Sequence, residues 1–230
     1  MQKCAMTFFS SLLSGWILLG FTSGNATAQP PHPNQPKANV ILIIGDGMDD
    51  VQISIARNYL KGARGRLTLD ALPVRSTVQV LTVDEADPSK SVYVADSANS
   101  ATAMATGHVT SRGRIATRPQ SDEDLETVAE RASAQGFKTG LVTTSSITDA
   151  TPAAFATHIK LRVCADPAHM VDVEYKGIPL GSCPEDLIAA GGLGSISEQL
   201  ARSNVDVLLG GGRRHFEVPT ESGNETVAEL

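Results

Sequence analysis

Residues 94–107 read VADSANSATAMATG: an acid and a serine, Asp96 and Ser97, followed by side chains that are nearly all small. Both accept hydrogen bonds from free backbone N–H groups, so a helix N-terminus is the plain reading of the pair. The same place suits a nucleophile, because a helix start gathers N–H donors and a partial positive charge that favour an anion. A second polar point is Asp46 in GDG. Glycines on both sides leave its carboxylate open to a cation, although Asp beside Gly is equally a turn residue. Thr148, Asp149 and Thr151 in ITDATP form a third point. Hard oxygens of this kind suit Mg2+, a two-oxygen carboxylate can also bridge to Zn2+, and an Asx-turn or a helix cap uses the same atoms.

These groups are far apart in sequence, so regular elements must bring them together. NVILIIGDG at 39–47 is a continuous apolar run that predicts a strand buried on both faces of a parallel sheet. DDVQISIARNYLKG then predicts a helix capped by Asp49, with Gln52 completing a capping box. VRSTVQVLTV and SVYVAD predict strands around the turn DEADPSK. SDEDLETVAERASAQG predicts a helix that opens on a cap and an acidic first turn and closes at Gly136, and FKTGLVTTSS predicts a strand. PAAFATHI starts a helix with Pro152 in its first turn, SISEQLARSN carries the box Ser195 and Glu198, and VDVLLGGG returns as a strand. The alternation predicts an α/β fold, a mostly parallel central sheet with helices on both faces. Ligands in such sheets bind beyond the carboxyl ends of the strands. Asp46, the pair Asp96 and Ser97, and the group Thr148, Asp149 and Thr151 all follow predicted strands, so one edge should gather them.

The chain has 230 residues, 41% of them hydrophobic, and a net charge of −6, enough for an ordinary core. It shows no basic stripe, which argues against a nucleic-acid partner. Residues 1–28 have the pattern of a secretory signal: Lys3, the apolar MTFFSSLLSGWILLGF, and ATA before cleavage after Ala28. Ser and Gly interrupt that apolar stretch, and it is too short to span a bilayer. Residues 29–38 form a Pro-rich leader, and 39–230 are expected to be the folded portion. Cys4 lies in the removed segment, leaving Cys164 and Cys183. Export to an oxidising compartment makes their disulfide the expected state, worth about 3 kcal/mol of loop-closure entropy. It would staple the Pro- and Gly-containing excursion Val163–Gly194. Past Gly212 the charged tail predicts no clear strand, and neither repeats nor heptads occur.

From Asn39 to Gly212, ARNY, DALP, DSANSATA, DATPAA, GSISEQL and LLGGG follow GDGM in an order that resembles the bacterial alkaline phosphatases. Those are exported phosphomonoesterases that use two zinc ions and one magnesium. The resemblance implies a three-layer sandwich around the parallel sheet and phosphate monoester hydrolysis through a phosphoserine intermediate. Ser97 matches the nucleophile, which is also a zinc ligand. Asp46 matches the carboxylate that bridges magnesium and zinc, Thr151 a direct magnesium ligand, and Asp149 a magnesium partner acting through water. Arg162 in HIKLRVC matches the arginine that grips the phosphate, with Asp96 orienting it and Cys164 pinning its loop. The substrate would be a phosphomonoester, the location periplasmic or extracellular, without membrane attachment after cleavage, and a complete chain would be a homodimer.

The resemblance covers the family's first half, so the fold is expected to be incomplete at the C-terminal end. Zinc needs about four ligands and this chain supplies at most two per ion. Weak zinc binding and little hydrolysis by the chain alone are expected. Asp49 stands where relatives often have Gly, and Val109 and Arg112 where the bacterial pattern has Lys and Asn. His108, His158 and His169 read as surface or core residues rather than ligands. The competing readings are a related metal-dependent phosphodiesterase, disfavoured by the serine and DATP, and a truncated non-catalytic protein that binds phosphate or a partner.

Overall fold

In the computed structural model residues 38–230 are described, so the signal pattern 1–28 and the leader through residue 37 lie outside the described residues. Contacts divide the chain at Ile44 and Gly45. In the first unit residues 38–44 carry no helix or strand. Val40, Ile41 and Ile43 are 85–87% exposed. The buried strand expected at 39–45 is therefore not formed. An apolar run encodes a demand for burial but not a partner, and a parallel strand needs neighbours for its backbone groups as well as its side chains.

In the unit Gly45–Leu230 helices α1, α2 and α5 start on the predicted caps Asp49, Asp96 and Ser195. Helix α1 spans Asp50–Lys61 with Asp49 and Gln52 in the predicted box. Helix α2, Ser97–Thr106, begins on Asp96 and ends at Gly107, whose φ of 75° is a left-handed stop that costs glycine little. Helix α3 is shorter than expected, Val128–Ala134, because Thr127 and Glu130 make the box in place of a cap further upstream. Helix α4 is the single turn Ala150–Ala153, and α5, Ile196–Arg202, carries the predicted box of Ser195 and Glu198.

The strands depart further from expectation. The stretch 74–96 yields β1, Thr82–Val83, and β2, Ser91–Val92, paired antiparallel. Strand β3, Gly140–Ser146, pairs in parallel with the last strand, β6, Val207–Gly211. Between them β4, Val173–Tyr175, and β5, Ile178–Gly181, form an antiparallel ribbon inside the excursion closed by the Cys164–Cys183 disulfide. Among the described residues, β3 and β6 are the parallel pairing within a sheet, so the mostly parallel sheet is present here as one pair. Its pleat turns Leu141 and Leu208 to the core and leaves Val142 and Leu209 74% and 57% exposed. One face is covered by helices, where both were expected.

The core lies where α2 meets α4. Ala98 and Ala101 of α2 join Ala150 and Ala153 of α4 in one buried cluster with Ile115, Ile147, Ile159 and Ile196. Small side chains let these helices approach closely, which brings their N-terminal ends to the same place. No helix among the described residues is long and apolar enough to cross a membrane.

Candidate active site

The GDG sequence makes a β-turn in which the Met48 N–H reaches the Gly45 carbonyl at 3.1 Å. Gly47 sits at φ 66°, a conformation in which a side chain would be strained. The turn presents Asp46, whose carboxylate is shared between the two helix starts. Ser97 Oγ donates to Asp46 Oδ1 at 3.1 Å, and Thr151 Oγ1 donates to Asp46 Oδ2 at 2.7 Å. Ser97 is the first residue of α2 and Thr151 the second of α4. The longer helix, α2, brings a dipole end with free N–H groups, whereas a single turn such as α4 contributes little of either.

Asp96 does two jobs with two oxygens. Its Oδ1 accepts the N–H groups of Asn99, at 3.1 Å, and Gly113, at 3.2 Å. Oδ2 faces Arg162 Nη1 at 3.4 Å, a long contact at a half-buried position. Asn99 completes the arrangement by accepting the Asp96 N–H at 2.7 Å and donating to the Leu81 carbonyl. Arg162 is held through its backbone as well: its N–H reaches the Gly113 carbonyl at 2.7 Å. The disulfide and the Ile196 N–H bond to the Cys164 carbonyl fasten the residues that follow. Asn99 and Gly113 thus join the predicted residues. A polar residue three positions after a cap was a visible signal for Asn99, but nothing in the sequence marked Gly113.

Asp149 occupies the cap position of α4 yet makes no capping hydrogen bond, and it is exposed beside Thr151. Thr148 does not join this group. Its side chain is buried and shares a 2.8 Å hydrogen bond with Ser146 Oγ. Thr148 lies in the turn after β3, where it is buried together with its neighbour Ile147.

As for the histidines, His108 is exposed against the Thr106 carbonyl. His158 is buried between the Ala116 carbonyl and Glu130. Burial alone would lower the His158 pKa, but the hydrogen bonds its ring donates to the Glu130 carboxylate and to the Ala116 carbonyl hold it above the ordinary value.

A metal set can be counted from these donors. Asp46, Asp149 and Thr151 are hard oxygen ligands on adjacent turns, a chemistry that fits Mg2+. For zinc the group supplies Asp46 and Ser97, without imidazole or thiolate, and falls short of four ligands.

A sequence model of the alkaline phosphatase family matches residues 37–229. The chain is 42% identical over 210 residues to the streptomycin-6-phosphate phosphatase of Streptomyces griseus, a match over 91% of this chain and 44% of that protein. It is 39% identical over 191 residues to the alkaline phosphatase of Escherichia coli, over 83% of this chain and 38% of that protein. Among solved structures, the cold-active alkaline phosphatase from a psychrophilic Shewanella aligns with a TM-score of 0.52 at 29% identity, over 75% of this chain and 36% of that one. The chain therefore spans less than half the length of these relatives.

Proposed function

Because the chain belongs to the alkaline phosphatase family, we propose that it carries the nucleophile-bearing portion of an exported phosphomonoesterase, with Ser97 as the nucleophile. The observation that carries this reading is the convergence of Ser97 and Thr151 on the two oxygens of Asp46 from separate helix starts. In this mechanism Ser97 Oγ attacks phosphorus and forms the ester O–P bond as the bond to the alcohol oxygen breaks. The serine proton passes to solvent water, and the departing alkoxide takes a proton from solvent, so no net proton is gained or lost. Water then cleaves the phosphoserine and releases inorganic phosphate. Asp46 accepts the Ser97 hydroxyl and fixes its direction. The N–H groups at the start of α2 face the negative phosphate. Arg162, directed by Asp96, supplies a planar fork for phosphate oxygens that a lysine lacks.

Asp46, Asp149 and Thr151 would hold magnesium. Bound divalent ions supply Lewis-acid charge that lowers the proton affinity of the serine hydroxyl and offsets phosphate charge. The zinc complement is not met by Asp46 and Ser97. Export is supported by the pattern at 1–28 and by the disulfide. The three-layer sandwich and the homodimer belong to the same proposal, carried from the family for the complete fold.

The test is phosphoenzyme trapping. The chain, supplied with Mg2+ and Zn2+, is incubated with labelled p-nitrophenyl phosphate, quenched in acid and mapped by mass spectrometry. Label on Ser97 that is absent from Ser97→Ala supports the reading. Label retained in Ser97→Ala removes Ser97 from its role. Cleavage of a diester without labelling by the monoester would favour the phosphodiesterase reading, and phosphate binding without either reaction the non-catalytic one.

A further inference from the structure

Away from Ser97, three metal-ligating side chains from two segments meet: Asp166, His169 and His215, whose ligand atoms all lie within 4.8 Å of one another. Asp166 is 2% exposed at its side chain and His215 10%, whereas His169 is 52% exposed. Each imidazole addresses a different carboxylate oxygen through Nδ1. His169 lies 2.7 Å from Asp166 Oδ1 and His215 2.5 Å from Oδ2. The Ala168 N–H donates to Asp166 Oδ1 at 2.9 Å, fixing the plane of the carboxylate as an outer hydrogen bond does around a bound metal. The sequence concealed this group, because Asp166 and His169 stand in the disulfide excursion and His215 follows β6.

We propose that Asp166, His169 and His215 form a transition-metal site, distinct from the Asp46 site and selective for zinc-like ions over magnesium. Two imidazole nitrogens and one carboxylate are the donor set of a borderline ion, with a fourth position open to water on the exposed His169 side. Ligands of a tetrahedral zinc stand about 3.4 Å apart, so the observed spread needs a modest closure. The exposed Arg214 donates from Nε to His215 Nε2 at 3.2 Å, which places the His215 proton on Nδ1, toward Asp166. A metal at Nδ1 replaces that proton and leaves a proton on Nε2, so Arg214 must turn away. Its exposure permits this. The bound ion would tie the residues just after Cys164 to the turn after β6, adding a second fastening four positions from Arg162.

The site is tested on the untagged full chain carrying Asp46→Asn, which disables the other candidate metal site, by calorimetric titration with Zn2+. One equivalent is expected to bind in this background. Adding His169→Gln should weaken it at least tenfold, adding His215→Gln should do the same, and millimolar Mg2+ should not compete. His169 is half exposed, so its variant should keep the parent's far-UV circular dichroism and melting temperature in the absence of metal. Zinc-dependent protection of the 166–183 loop from proteolysis, lost with His169→Gln, is a second readout. Absence of zinc binding in the Asp46→Asn chain, undiminished binding in the His169→Gln and His215→Gln variants, or displacement by Mg2+ would each overturn the proposal. Ser97 labelling is a separate measurement, so either result can fail without the other.

Discussion

At the scale of single residues, the chain repeatedly uses one carboxylate for two tasks. Asp46 takes two hydroxyls, one on each oxygen, and Asp96 caps α2 with one oxygen and faces Arg162 with the other. Capping and positioning are thus one arrangement, because a cap needs a single acceptor lone pair and a carboxylate has several. Asp186 carries a different consequence of placement. Burial, opposed by the Lys160 N–H at 3.2 Å and reinforced by the charges of Asp122, Glu185 and Asp124, raises its pKa from 3.8 to about 6. The folded state therefore holds this proton more tightly than the unfolded state does. The resulting stabilisation is fully present below pH 3.8 and lost as pH rises through about 6. Asp186→Asn keeps an acceptor for Lys160 and carries no charge. Solvent screening at this half-buried site reduces the effect, so the variant should be more stable than the parent by about 1 kcal/mol at pH 8 and no more stable near pH 3.5. Paired denaturant titrations at both pH values measure the difference.

At the scale of elements, capping boxes decided where helices begin. Asp49 with Gln52, Thr127 with Glu130, and Ser195 with Glu198 all close as reciprocal pairs. The last is the most demanding, because Ser195 and Glu198 are both fully buried. Ser195 Oγ donates to Glu198 Oε2 at 2.8 Å, and the Ser195 N–H reaches the same oxygen at 3.0 Å. Ser195→Ala removes one donor to a buried carboxylate and the cap of α5 together. It should cost about 1–3 kcal/mol, seen as a lowered urea midpoint with an unchanged m-value. Strands were harder to place than helices. A helix satisfies its backbone within a contiguous stretch, whereas the apolar run 39–45 and the stretch 74–96 depend on partners that their own residues do not specify.

At the scale of the whole chain, the links that matter within Gly45–Leu230 join residues far apart in sequence. The disulfide is the strongest of them: Cys164 and Cys183 are fully buried and separated by 19 positions. The double variant Cys164→Ala, Cys183→Ala should lose about 3 kcal/mol of stability, measured by equilibrium unfolding. A loss below about 1 kcal/mol would show that the flanking hydrogen bonds of Cys164 and Cys183 hold the loop without it. By itself the sequence determined the starts of α1, α2 and α5, the paired cysteines, the family resemblance and the residues able to do chemistry, because caps, turns and motifs act over a few positions. Only the tertiary structure decided that Asp46 receives both Ser97 and Thr151, that Thr148 turns inward, that Gly113 supports Asp96, and that Asp166, His169 and His215 meet. Those outcomes depend on how alanine-lined helices and a parallel strand pair stack, and no short-range pattern encodes which distant side chains that stacking will bring within hydrogen-bond reach.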